Sequence, residues 1–237
     1  MNGLILAAGD GSRLAADGVR QPKTLVEVGG RPQILHLTRV LRELGCEAVT
    51  CMVPTARASQ LAELQAPREG GRAVVIGCQT PSSLHTLARG LSIVPAGPVF
   101  CTMVDTVMRR RDWAALHAGM AAELAAGAEL VLAVTPYVDD ERPLYVMLGD
   151  RGAVLDLRDE PVEPVHVTGG VYALSPTART AATQAVDRGA GRMREFLRWA
   201  ARGGLRTTAV VVPRIIDLDR GSDLAAANQW LAEAEIT

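Results

Sequence analysis

Lysine is almost missing from this 237-residue chain: 24 of its 25 basic residues are arginine, and Lys23 stands alone. Aromatic residues make up 3% of the chain, too few for the stacking platform that holds single-stranded nucleic acid. The net charge is −1, so no cationic field gathers nucleic acid nonspecifically. No apolar run approaches the ~20 residues of a membrane span. No basic segment precedes the first apolar run, which argues against a signal peptide. The four cysteines (Cys46, Cys51, Cys78, Cys101) form no CxxC pair and have no histidine at zinc-ligand spacing. They read as buried free thiols of a cytoplasmic protein, with neither nucleic acid nor membrane as partner.

What is present alternates. Residues 2–8 form a short apolar run ended by glycines, which suits a buried parallel strand. Apolar residues recur at helical spacing over 32–44, and Gly45 closes that helix. Further strands are expected at 48–53, 73–76, 99–104 and 130–134, with helices at 55–64, 83–92 and 112–125. Residues 143–148 and 153–157 flank Gly149-Asp150-Arg151-Gly152 and read as a hairpin. A strand at 170–174, helices near 177–187 and 192–202, a strand at 206–212 and a helix at 223–234 complete the chain. Such alternation predicts an α/β fold, a mostly parallel mixed sheet flanked by helices. Length and the lack of a linker predict one domain over 1–237.

The informative segment is Leu6-Ala7-Ala8-Gly9-Asp10-Gly11-Ser12-Arg13-Leu14, followed by Pro22-Lys23. A strand that ends in small residues lets backbone N–H groups approach an anion closely. Arg13 adds a fork of donors, and Lys23 a second positive charge. It is not a Walker loop, because Lys23 follows proline and not glycine. It is not a Rossmann dinucleotide fingerprint either, because the third glycine is replaced by Leu14.

These residues, with Thr24-Leu25 and Val26-Glu27-Val28-Gly29-Gly30-Arg31-Pro32, resemble the signature of nucleotidyltransferases acting on sugar 1-phosphates, phosphocholine and related small phosphates. The resemblance implies a Rossmann-like fold of the nucleotide-diphospho-sugar transferase type. It also implies Mg²⁺-dependent transfer of an NMP group from an NTP to a small phosphorylated acceptor, with release of pyrophosphate. Leu6, Ala7, Ala8, Gly9, Gly11 and Ser12 would then hold the nucleotide. Arg13 and Lys23 would stabilise charge on the α-phosphate, a demand that displacement at phosphorus makes in any case. A sugar 1-phosphate is the acceptor the resemblance names first.

A polyphosphate needs Mg²⁺ held by one or two carboxylates. Asp105 ends an apolar strand, where open α/β sheets place ligands, though a turn residue there would look the same. The resemblance makes Asp105 one metal ligand. It makes Asp219, in Asp217-Leu218-Asp219-Arg220-Gly221-Ser222-Asp223, the other, with Asp217 as the alternate. Asp223 reads as a cap of the last helix. Gln79 is either a reader of a pyrimidine base or a solvated loop amide, and Ser83 follows it in a segment resembling the phosphocholine-type version. Thr168, Gly169, Gly170 and Tyr172 resemble the family's acceptor-pocket element, and the paired glycines equally suit a bulge.

Asp159-Glu160-Pro161 stands where sugar-type members carry Glu-Lys-Pro. Glu160 is therefore a substrate-side candidate, and the acceptor's lysine is absent. Arg158, Arg192, Arg194 or Arg198 would have to replace it. The run Arg109-Arg110-Arg111 reads as a solvated helix start. A choline-type acceptor would want an aromatic cage, for which Tyr137, Tyr145, Tyr172 and Trp113 are the supply. Two other functions stay open: a cytidylyltransferase for a non-sugar phosphate or phosphonate, and a nucleotide- or sugar-phosphate-binding regulator without catalysis. A homo-oligomer is neither required nor excluded.

Overall fold

The computed structural model describes residues 1–9, 11–64, 73–139 and 142–234. The first strand, β1 (Asn2–Leu6), is buried along its whole length. It sits between β4 (Val49–Pro54) and β6 (Val99–Met103), parallel to both, and β5 (Ala73–Cys78) extends the parallel set beyond β4. Two short strands lie between β1 and β4 in the chain: β2 (Glu27–Val28) and β3 (Arg31–Pro32). β7 (Thr106–Val107) follows β6 and pairs with the late β13 (Ile216–Asp217).

On the other side of β6 the sheet changes direction. β11 (Val167–Leu174) runs antiparallel to β6. It is flanked by β8 (Leu130–Thr135) and by the hairpin of β9 (Tyr145–Leu148) and β10 (Val154–Arg158). β12 (Thr207–Val211) runs parallel to β8. The large sheet has nine strands among the described residues, and β10 and β11 oppose the direction of the rest. This is the expected mixed α/β sheet.

Because successive side chains point to opposite faces, one strand feeds two cores. Leu4 and Leu6 enter the core under α4 (Ser83–Leu91), α6 (Pro176–Asp187) and α7 (Met193–Trp199). Ile5 and Ala7 enter the core under α2 (Gln33–Glu43), α3 (Ala58–Leu64) and α5 (Arg110–Ala125). Leu84, Leu87 and Leu91 of α4 follow helical spacing and are buried. α4 is capped by Ser82, whose hydroxyl accepts from the His85 N–H. A third cluster, with Val26, Val28, Val107, Ile216 and Trp230, lies beneath α8 (Gly221–Ala234).

Several expectations shift. The glycine turn leads into α1 (Ser12–Ala16), a single short turn of helix that the sequence reading did not place. The helix expected at 192–202 stops at Trp199 and continues as a wider turn over Ala200–Gly204. The strand expected at 170–174 begins at Val167, and its register against β8 shifts between Thr168 and Tyr172, across the paired glycines. Those glycines lie at a bulge inside β11. All four cysteines are buried thiols with no disulfide. Arg110 and Arg111 are solvated as expected, but Arg109 is tucked over the Trp230 ring, 4.8 Å from its centroid.

Candidate active site

The parallel strands β1, β4, β5 and β6 deliver their C-terminal ends to one edge of the sheet. Leu6 and Ala7 are buried there, and the chain surfaces through half-buried Ala8 to exposed Gly9. Asp10 and the Ser12 side chain lie outside the described residues. Gly11 adopts φ +62° to start α1. A Cβ on it would stand 3.3 Å from the Lys23 Cβ. Glycine at this position therefore supplies both the left-handed backbone and the room for Lys23.

Four residues from distant parts of the chain meet at this edge. Lys23 Nζ donates to Asp105 Oδ2 and to Asp219 Oδ1, each at 2.8 Å. Arg13 Nη1 donates to the other oxygen of Asp219, Oδ2. Burial opposes the charge on Lys23, but Asp105 and Asp219 outweigh it and hold the ammonium above its usual range. Asp105 follows β6, whose pairing with β1 continues through Val104 N–H to Leu6 O at 3.0 Å. Asp219 is held by the Asp223 carboxylate, which accepts from the N–H groups of Asp219 (3.0 Å) and Arg220 (2.7 Å). Asp223 thus steadies the turn before α8, a role close to the cap expected of it.

Asp217 is the third carboxylate. Its Oδ1 is buried and without a partner among the described residues. Burial, then the charges of Asp105, Asp139 and Asp219, push its carboxyl well above the usual range, and Lys23 opposes them. Among the described residues no three His, Cys, Asp or Glu side chains gather closely enough to form a metal cluster. Asp105 and Asp219 nevertheless converge on one cation, the Lys23 ammonium.

Beside this cluster opens a cleft of about 420 Å³. Arg13, Ser83, Asp105, Thr168, Gly170, Tyr172 and Asp217 line it. Gly170 takes φ +68°, and a Cβ there would press on Thr106 Oγ1 at 2.9 Å. Gly169 is not a lining residue: a Cβ on it would collide with Ile215, so its smallness serves packing. Tyr172 is buried, and burial first, with Cys101, Asp217 and Asp105 adding to it, raises its phenol above the ordinary range. Gln79 is exposed just beyond β5, on the same edge of the sheet but outside the cleft lining. Glu160 is exposed after β10 and likewise outside the lining.

The sequence reading missed Arg142 and Ser82, which line the cleft. Neither carries a motif. Arg142 precedes β9, and Ser82 caps α4. The aromatic cage does not assemble: Trp113 is buried against Phe100, and Tyr137 is covered by Arg214.

The sequence pattern of the MobA-like NTP transferase domain matches residues 3–204. The chain belongs to that family. Gly9, Gly11, Arg13, Lys23 and Asp105 lie within the matched span, and Asp219 lies beyond it. Mannose-1-phosphate guanyltransferase of Pichia angusta is 29% identical over 192 residues, 75% of this chain and 50% of that protein. The chain thus spans about half the length of the curated relative it matches. Among solved structures, the inositol-1-phosphate CTP transferase from T. maritima superposes with a TM-score of 0.78 at 13% identity, covering 99% of this chain and 96% of that one. A Bacillus anthracis protein provisionally named glucose-1-phosphate thymidylyltransferase, in complex with a sucrose, gives 0.81 at 17% identity, covering 98% and 95%. Both show the fold that the resemblance implied. No helix among the described residues is long and apolar enough to cross a membrane.

Proposed function

We propose that this chain is a nucleotidyltransferase that moves an NMP group from an NTP to a small phosphorylated acceptor, of the sugar 1-phosphate kind, and releases pyrophosphate. The observation that carries this reading is the meeting of Arg13, Lys23, Asp105 and Asp219 at the C-terminal edge of the sheet, beside the cleft. An acceptor phosphate oxygen attacks the α-phosphorus. The new P–O bond forms as the bond to the β-phosphate oxygen breaks, and pyrophosphate departs. The acceptor phosphate is already ionised, so no general base is needed.

The family name, and the three relatives named for nucleotidyl transfer, support the reaction class. The glycine turn at 9–11 would let backbone approach the nucleotide phosphates. Arg13 and Lys23 would meet the negative charge that grows on the α-phosphate. A preorganised cation is worth most at a partly dry site, and Lys23 keeps 11% of its side-chain surface exposed.

The carboxylates fit a divalent cation. Asp105 and Asp219 already share one cationic partner, and Asp217 aims an unpartnered buried oxygen nearby. Mg²⁺ takes one or two carboxylates together with substrate phosphates, so Asp105 and Asp219 suffice. When bound, the ion would neutralise the polyphosphate and orient it. In its presence the Lys23 ammonium would turn from the carboxylates to the α-phosphate.

The choline-type alternative is the weaker one, since its aromatic cage is not built. The test is pyrophosphate release across a grid of NTPs and acceptor phosphates. One NTP and acceptor pair should give release, and Asp105→Ala should lower it by roughly a hundredfold or more while the variant stays folded. Full activity in Asp105→Ala would sink the mechanism.

A further inference from the structure

Positive charge in the cleft is not confined to the end where Asp105 stands. Besides Arg13, the cleft is lined by Arg142, Arg192 and Arg194. These three do not stand with the catalytic cluster. Arg142 precedes β9, which lies across β11 from β6 and Asp105. Arg192 and Arg194 begin α7, which packs on β10. Arg194 donates to Asp159 at 2.6 Å, and that same carboxylate also serves Arg198. The Arg192 guanidinium is exposed and makes no ion pair among the described residues.

The rest of the lining sharpens the point. Among the described residues it contains no Asn or Gln, its carboxylates are Asp105 and Asp217 at the catalytic end, and its hydroxyls are those of Ser82, Ser83, Thr168 and Tyr172. A neutral sugar presents hydroxyls that both donate and accept. A wall that reads them needs acceptors, which the hydroxyls of the lining supply and the three guanidinium groups do not. Guanidinium groups only donate and are always charged. Such a wall matches a group that only accepts, and the fork of an arginine suits the paired oxygens of a carboxylate or phosphate.

Resting on the transferase reading above, we propose that the acceptor carries a second anionic group, a carboxylate or a phosphate, and that Arg192 and Arg194, with Arg142, hold it. The attacking phosphate lies at the Arg13 and Lys23 end, so the part of the missing acceptor lysine falls to that end and not to Arg192 or Arg194. The second group lies at the α7 end and fixes which acceptor is used. Specificity is then set by a charge that a neutral sugar 1-phosphate lacks.

The test begins with binding and needs no turnover. Purified full-length protein is titrated calorimetrically with a hexose 1-phosphate, a hexose 1,6-bisphosphate and a hexuronic acid 1-phosphate. One of the two diacidic compounds should bind about tenfold tighter or more than the hexose 1-phosphate, as expected for a charge-assisted hydrogen-bonded group. Preference for the bisphosphate identifies the second group as phosphate; preference for the uronic acid identifies a carboxylate. Arg192→Ala and Arg192→Glu, at an exposed position where folding is not at stake, should bring that preference within twofold. Equal binding of all three, binding of none, or a preference that survives both variants would overturn the proposal. Pyrophosphate release with the same compounds then separates the two ideas. A binding preference with no release from any NTP refutes the transfer reaction and leaves the anion site standing. Release that is equal with neutral and diacidic acceptors refutes the site and leaves the reaction.

Discussion

Lys23 answers to two carboxylates at once, and little of its side chain reaches water. Removing its charge takes from Asp105 its cationic partner and leaves Asp219 to Arg13 alone, beside the already buried Asp217. Lys23→Met should therefore cost about 3 kcal/mol, the figure for breaking a largely buried ion pair. In a chain this long that lowers the melting temperature by roughly 6–12 °C. Thermal melts of the two proteins in chelator check it; an unchanged midpoint would show that the carboxylates do not need the ammonium. Lys23→Arg keeps the charge but widens the head, which sits between Asp105 and Asp219 at 2.8 Å from each. That variant should lose most turnover, because a planar fork does not replace a compact ammonium at a crowded phosphate site. His36 illustrates another residue-scale effect. Its Nε2 is buried without a partner among the described residues, and burial, then Arg31, holds the imidazole below its ordinary 6.5. Folding therefore favours the neutral ring. The stability it contributes is full above 6.5 and is lost as the pH falls from there through the lower folded value. The melting temperature should fall between pH 7 and 5, and His36→Gln should flatten that fall. A slope untouched by the substitution would place the acid sensitivity elsewhere.

At the scale of elements, the joints matter more than the strands they connect. Arg179 of α6 donates to Pro95 O at 2.7 Å, Gly97 O at 2.6 Å, and Leu91 O and Val94 O at 2.9 Å each. One guanidinium thus pins the end of α4 and the turn into β6. Arg179→Ala leaves four carbonyls to find water and should cost about 2–3 kcal/mol, read by chemical denaturation. Arg179→Lys should recover little of it, since a point donor cannot reach four carbonyls spread over two sides. If lysine restores full stability, the fork is not what counts. The long strands were legible in the sequence, because buried parallel strands are short, continuous apolar runs. The pairs β2–β3 and β7–β13 were not: a two-residue strand has no periodicity to read. The bulge in β11 was one of the two readings that Gly169-Gly170 admitted, the other being a substrate approach. Gly170 turns out to line the cleft, and Gly169 makes room for Ile215.

For the whole molecule, local reading reached the glycine turn, the Pro-Lys step and the end of β6. It did not reach their assembly. Lys23 meets a carboxylate 196 residues away, through α8 and the β7–β13 pair, and no local pattern encodes that distance. The resemblance in the last segment pointed to Asp219, and the fold brings that residue to Lys23. It also brings Asp217 to the cleft lining, so both late aspartates stand near the site. The arginine-rich composition, first noticed as a shortage of lysine, reappears as a wall of the cleft at Arg142, Arg192 and Arg194. The account's central claim is that the acceptor phosphate itself attacks the α-phosphorus. Phosphorus NMR of a reaction with the best NTP and acceptor from the grid tests it directly. The account predicts two coupled resonances of a new diphosphate that joins the NMP to the acceptor, formed one for one with pyrophosphate. Free NMP with an unchanged acceptor, or NDP with inorganic phosphate, would contradict it.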